Sequence, residues 1–134
     1  MLVGRGGQYT GAQGLIYAAG LTGASVGARG LSLTEAALPP GACSRAHLHR
    51  GIETGGYVLE GTLETLWGER LEQSVVAEAG EFVYIPPDVP HVVRNPSGER
   101  PARALVAHTA ADDQEGIELR PDLDALLRSP HLDG

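Results

Sequence analysis

The sequence predicts an all-β fold, a sandwich or barrel of short strands. Three observations predict it. Between residues 31 and 109, short apolar or alternating runs recur at near-regular intervals. Turn signals built on Gly, Pro and Asp separate these runs. The 134 residues also carry nineteen glycines and only 4% aromatics, a composition suited to slim strands and tight turns rather than to a helical bundle. A chain of this length is one domain, large enough to bury a single core.

Residues 1–30 are interrupted so often by glycine that only 13–19 reads as a short strand. The stretch reads as a loosely held arm of the same domain, or as an arm that pairs with a partner subunit's sheet. Leu31-Ser32-Leu33-Thr34 alternates as a half-buried strand should, and Pro39-Pro40-Gly41 breaks the chain. Strands are then expected at 43–49, 56–59, 62–67, 72–77, 81–85, 91–94 and 102–109. The turns between them fall at Glu60-Gly61, Gly68-Glu69, Ala79-Gly80, Pro86-Pro87-Asp88 and Pro96-Ser97-Gly98. The end differs: 121–128 reads as one short helix, with Pro121 in its first turn, Leu119, Leu123, Leu126 and Leu127 on one stripe, and Pro130 as its stop. The chain thus divides into an arm (1–30), a barrel (31–110) and a C-terminal segment (111–134).

Composition excludes several functions. Ten basic residues against seventeen acidic ones leave a formal charge of −7, which argues against nucleic acid and against an anionic membrane surface. All the basic residues are arginine, so no Schiff-base or P-loop lysine is available in this chain. With a single cysteine, Cys43, no intrachain disulfide forms. No apolar run is long enough to span a bilayer, and the first thirty residues hold no compact apolar segment of a signal peptide. The expectation is a cytoplasmic protein.

The chemistry lies in the histidines. His47 and His49 are two apart, so in a strand both side chains leave the same face and can reach one metal ion. Glu53 follows past Gly51, where a bend can bring its carboxylate to the same point. His91 opens a strand after the Pro86-Pro87-Asp88 turn. Imidazole and carboxylate together suit Zn, Fe, Ni, Cu or Mn, and ligand softness alone does not choose among them.

Gly41-(five)-His47-x-His49-(three)-Glu53 resembles the first signature of the cupin superfamily, and Gly80-(five)-Pro86-x-Asp88-(two)-His91-(three)-Asn95 resembles the second. The resemblance covers residues 31–109. Asp88 stands where the family usually has glycine, and the stretch from Glu53 to Gly61 is one residue longer than the usual pattern, which puts Thr54 where some relatives carry the glutamate. The resemblance implies a single jelly-roll barrel (a double-stranded β-helix) with a short C-terminal helix. It further implies one divalent metal ion on His47, His49, Glu53 and His91, or on three histidines with water, and a homodimer.

Around that site, Cys43 and Arg45 share the parity of His47 and His49. On a regular strand both would point inward, Arg45 as a candidate for binding a carboxylate. Tyr57 shares the parity of Glu53 and is the other weak catalytic candidate, with Tyr84 behind it. Asn95 reads as a turn residue beside Pro96, His108 as packed or at the barrel mouth, and His131 as solvated. The leading function is a metal-binding cupin that binds or transforms a small organic molecule, which can be anionic. Dioxygenase-like chemistry is expected ahead of decarboxylation or isomerisation. The alternatives are a non-catalytic binding barrel and a structural dimerisation unit.

Overall fold

The computed structural model describes residues 2–127, so the expectations for Arg128, Pro130 and His131 lie outside the described residues. The strands are β1 Gln8–Thr10, β2 Ile16–Leu21, β3 Ser32–Leu38, β4 His47–His49, β5 Thr54–Glu60, β6 Thr62–Trp67, β7 Gln73–Glu78, β8 Phe82–Ile85, β9 His91–Arg94, β10 Ala102–His108 and β11 Ile117–Leu119. Two short helices join them, α1 Gly23–Val26 and α2 Pro121–Leu127. A six-stranded sheet runs β1-β2-β3-β10-β5-β8 and a five-stranded sheet runs β11-β4-β9-β6-β7. Neighbouring strands pair antiparallel throughout. The architecture is a jelly roll.

Alternation along β3 positions the core. Ser32, Thr34, Ala36 and Leu38 are buried while the residues between them are half-exposed. Ala36 and Leu38 join Leu15, Tyr17, Val58, Leu63 and Ala104 in the cluster between the sheets. A second cluster lies behind β9. Val92, which alternates out from His91, meets Ala46, Leu71 and Leu123 of α2 there, and Leu126 and Leu127 pack against it. Each such aliphatic side chain contributes about 1.5–3 kcal/mol on burial. The helix is also tied by a hydrogen bond, the Ala46 amide donating to Asp124 Oδ1 at 2.7 Å.

Three sequence expectations are corrected. Residues 8–21 are not a loose arm: β1 and β2 form a hairpin, and β2 pairs with β3 of the same chain. Residues 43–46 are not a strand but make one isolated bridge, Cys43 to Arg94. Leu119 does not share the helical stripe of Leu123, because it closes β11, which pairs with β4.

Two turns hold the second sheet in place. Asp88 takes φ 65°, the left-handed region that an aspartate tolerates. Its Oδ1 accepts from the Gly51 amide at 2.9 Å, and its own amide donates to the His49 carbonyl at 3.0 Å. Asn95, only 3% exposed, ties a second junction. Its Nδ2 donates to the carbonyls of Leu38 and Arg100 at 3.1 and 2.7 Å, and its Oδ1 accepts from the Ser97 amide at 3.0 Å. Replacing Asn95 by alanine leaves these buried groups unpaired. The expected cost is ~2–4 kcal/mol, read as a lower urea midpoint with an unchanged slope; a variant as stable as the parent would refute the role.

Candidate metal centre

His47 and His49 leave β4 on one face, and the β4–β9 pairing sets His47 opposite His91. All three are 3% exposed. One ring nitrogen from each lies within 4.8 Å of the others, a spacing that one ion can gather.

Two backbone carbonyls orient the rings. His47 Nδ1 donates to the Arg45 carbonyl at 2.7 Å, and His91 Nδ1 donates to the Val89 carbonyl at 3.0 Å. A carbonyl only accepts, so Nδ1 carries the proton in each ring and Nε2 keeps its lone pair. Metal-ligating histidines are held in this way. His49 differs: its Nδ1 makes no hydrogen bond of good geometry, although the Glu115 backbone lies close enough to act on the ring.

Burial keeps these rings neutral. It pushes His47 well below the ordinary imidazole value, helped by His91, and lowers His49, where the backbone of Glu115 and the charge of Asp113 counter part of the effect. Burial lowers His91 to about 4. Neutral imidazoles are the form that binds metal.

The structure brings three of the four expected ligands together and leaves Glu53 apart. Glu53 is exposed, and its Oε1 accepts from the Tyr84 hydroxyl at 2.7 Å. The next residue, Thr54, takes the inward position as β5 begins, buried at 7% exposure and facing the cavity. The weak catalytic candidates are also elsewhere. Arg45 is exposed and absent from the cavity wall, because its amide bonds to the Gln13 carbonyl rather than to a ladder neighbour. Cys43, on the same irregular stretch, does not reach the wall either. Tyr57 borders the cavity, but its ring packs on Phe82, itself 80% exposed, with centroids 4.8 Å apart.

The cavity beneath the histidines measures about 80 Å³. That is room for about half a dozen water-sized positions, or for an ion and a ligand of a few heavy atoms. Among the described residues its wall contains no arginine, aspartate or glutamate. Apart from the three histidines, its polar groups include Gln13, Tyr17, Thr54 and His108. Sequence reasoning left His108 between packing and the mouth; it lies in the wall, its ring centroid 4.6 Å from that of His49. The signal that could have found it is parity along β10, where Ala102, Ala104 and His108 are buried together.

A family model of the cupin domain matches residues 34–108, more than half of the chain. The chain belongs to the cupin family. Solved structures agree on the fold of this cupin. It is similar to a conserved protein with a double-stranded β-helix domain from Klebsiella pneumoniae, at 17% identity, 83% coverage of each chain and a TM-score of 0.66. It is similar to a predicted oxalate decarboxylase from Thermotoga maritima at 18% identity, over 78% of this chain and 90% of that one, with a TM-score of 0.65. It also resembles the DMSP lyase DddQ from Ruegeria pomeroyi at 25% identity and a TM-score of 0.57, over 69% of this chain but 44% of the lyase. No curated protein matches the sequence significantly. Among the described residues, no helix is long and apolar enough to cross a membrane.

The neutral histidines make the metal-free cupin sensitive to acid. The folded values, about 4 for His91 and about 3 for His108, lie below the unfolded value of 6.5, so the unfolded chain binds more protons between them. Stability from these groups is complete above pH 6.5 and declines as pH falls toward 4. The expected slope is ~1.4 kcal/mol per pH unit for each histidine. Urea unfolding of chelator-treated protein at pH 7, 6 and 5 measures it; equal stabilities at pH 7 and 5 would contradict the burial of neutral rings.

Proposed function

We propose that this cupin holds one divalent first-row metal ion on His47, His49 and His91, and that it binds and transforms a small organic molecule in the cavity beside it. The observation that carries the reading is the convergence of three buried, neutral imidazoles, two of them with Nδ1 tied to carbonyls so that Nε2 is free. The donor set fits iron, manganese, zinc, nickel or copper. With water or ligand oxygen completing the shell, a bound ion would act as a Lewis acid that polarises and orients a coordinated oxygen.

The chain's own residues do the rest. The Arg45 and Val89 carbonyls hold two rings in the ligating tautomer, and Val58, Val83 and Val106 keep the cavity apolar. His108 and the Tyr17 hydroxyl stand ready to meet an organic ligand. The lyase and the predicted decarboxylase among the similar structures support an enzyme on this framework.

Elemental analysis of protein isolated without added metal or chelator tests the reading, with about one equivalent of a first-row metal expected. His47→Ala and His91→Ala should fold and lose that metal. Loss of outer groups alone weakens metal sites about 10–100-fold, so loss of a ligand should weaken this one at least as much. Glu53→Gln should keep the full equivalent. Retention in both histidine variants, or loss in Glu53→Gln, would sink the three-histidine site.

A further inference from the structure

Among the described residues, His108 is the one imidazole in the cavity wall outside the three-histidine group. It is 5% exposed, and its Nδ1 has no hydrogen-bond partner. Its register neighbour on β3, Ser32, offers a buried Oγ that is equally unpartnered. The two do not bond to each other. On the other side His108 is paired with Thr54, the residue that occupies the inward position next to displaced Glu53. A buried polar atom without a partner costs ~1–3 kcal/mol; the His108 ring lines the cavity beside the candidate centre, and a ligand drawn against that ring can satisfy its Nδ1.

The charges around the cavity narrow the ligand. Among the described residues the wall carries no cation, so the metal is what would compensate an anion there. Asp113 lies just outside the wall, 4% exposed, held by the Tyr9 hydroxyl at 2.6 Å and the Gln114 amide at 3.0 Å. Its charge is felt at His49. A divalent ion and this one buried carboxylate leave a net single positive charge in a low-dielectric site. One further negative charge neutralises it, and a second is buried without a partner.

We propose that His108 Nδ1 hydrogen-bonds the organic ligand of this cupin, and that the ligand is a singly anionic oxygen compound of a few heavy atoms with an apolar body, such as a short 2-oxo acid. The proposal rests on the metal reading above.

Calorimetric titration of zinc-loaded full-length protein tests it, with pyruvate and oxalate as probes. Oxalate has a charged oxygen-bearing group where pyruvate has a methyl ketone, so the pair separates one charge from two. Relative to the same two ligands on aqueous zinc, the protein should shift preference toward pyruvate by about tenfold. His108→Leu should keep one equivalent of zinc and bind pyruvate about tenfold more weakly, and His108→Asn, whose amide reaches the Nδ1 position, should recover most of the loss. Unchanged pyruvate binding in His108→Leu would overturn the proposal. So would loss of zinc from it, which would make His108 a ligand, and so would an undiminished preference for oxalate. If the parent protein takes up no zinc, the metal reading itself falls, before either probe is added.

Discussion

Three imidazoles buried side by side coexist only if none is protonated, and much of the second sheet follows from that constraint. Burial supplies most of it. The Arg45 and Val89 carbonyls pull weakly the other way, since accepting from a ring N–H favours the charged form, but in the neutral rings they fix the proton of His47 and His91 on Nδ1. Those carbonyls must therefore lie where no regular ladder would put them. Residues 43–46 leave strand geometry so that the Arg45 carbonyl meets its own neighbour-but-one, and the turn before β9 does the same with Val89. Asp88 locks that turn to the end of β4, and Asp124 clamps the Ala46 amide from behind. The helix at the end of the chain thus supports the metal centre although none of its side chains enters the cavity.

A strand has a side-chain period of two, so one inserted residue moves a side chain from one face to the other. The chain between Glu53 and Gly61 carries that extra residue. Thr54 takes the inward place, and Glu53 turns out to meet Tyr84 and, through its amide, the Thr109 hydroxyl at 2.9 Å. A carboxylate is exchanged for a hydroxyl on the cavity wall. The candidate centre then carries one less negative charge, and the nearest buried one is Asp113, behind the wall.

Sequence pattern made the barrel legible where side chains alternate and turns are marked by Gly or Pro. The ranges read for β6 and β9, 62–67 and 91–94, match the structure, and those for β8 and β10 fall within one residue of it. The ligand pair in His47-Leu48-His49 was legible for the same reason, since it depends only on parity. What was not legible depends on tertiary contacts. Arg45 has the parity of an inward residue but sits where a bond to the Gln13 carbonyl replaces the ladder. β11 is three residues whose only signal is the partner it finds in β4. His108 shares the parity of Ala102 and Ala104, opposite to that of Arg103, but parity alone does not separate a packed ring from one on the cavity wall.

The glycine-rich beginning of the chain misled most, because glycine there serves close approach rather than looseness. A Cβ on residue 11 would stand 2.8 Å from both the Tyr17 ring and the Gln114 amide nitrogen. That crowding surrounds a buried polar chain: the Gln13 amide donates to the Tyr17 hydroxyl at 2.6 Å, and Gln114 joins Gln13 to Asp113. Burial and the Asp113 charge both raise the Tyr17 pKa, so its phenol stays protonated and faces the cavity as a donor. Gln13, Leu15 and Tyr17 therefore wall one side of the cavity, and the loop after β10 packs behind them through Asp113 and Gln114. They seat the Asp113 carboxylate close enough to act on the centre and, by packing it outside the wall, keep it from occupying a ligand position.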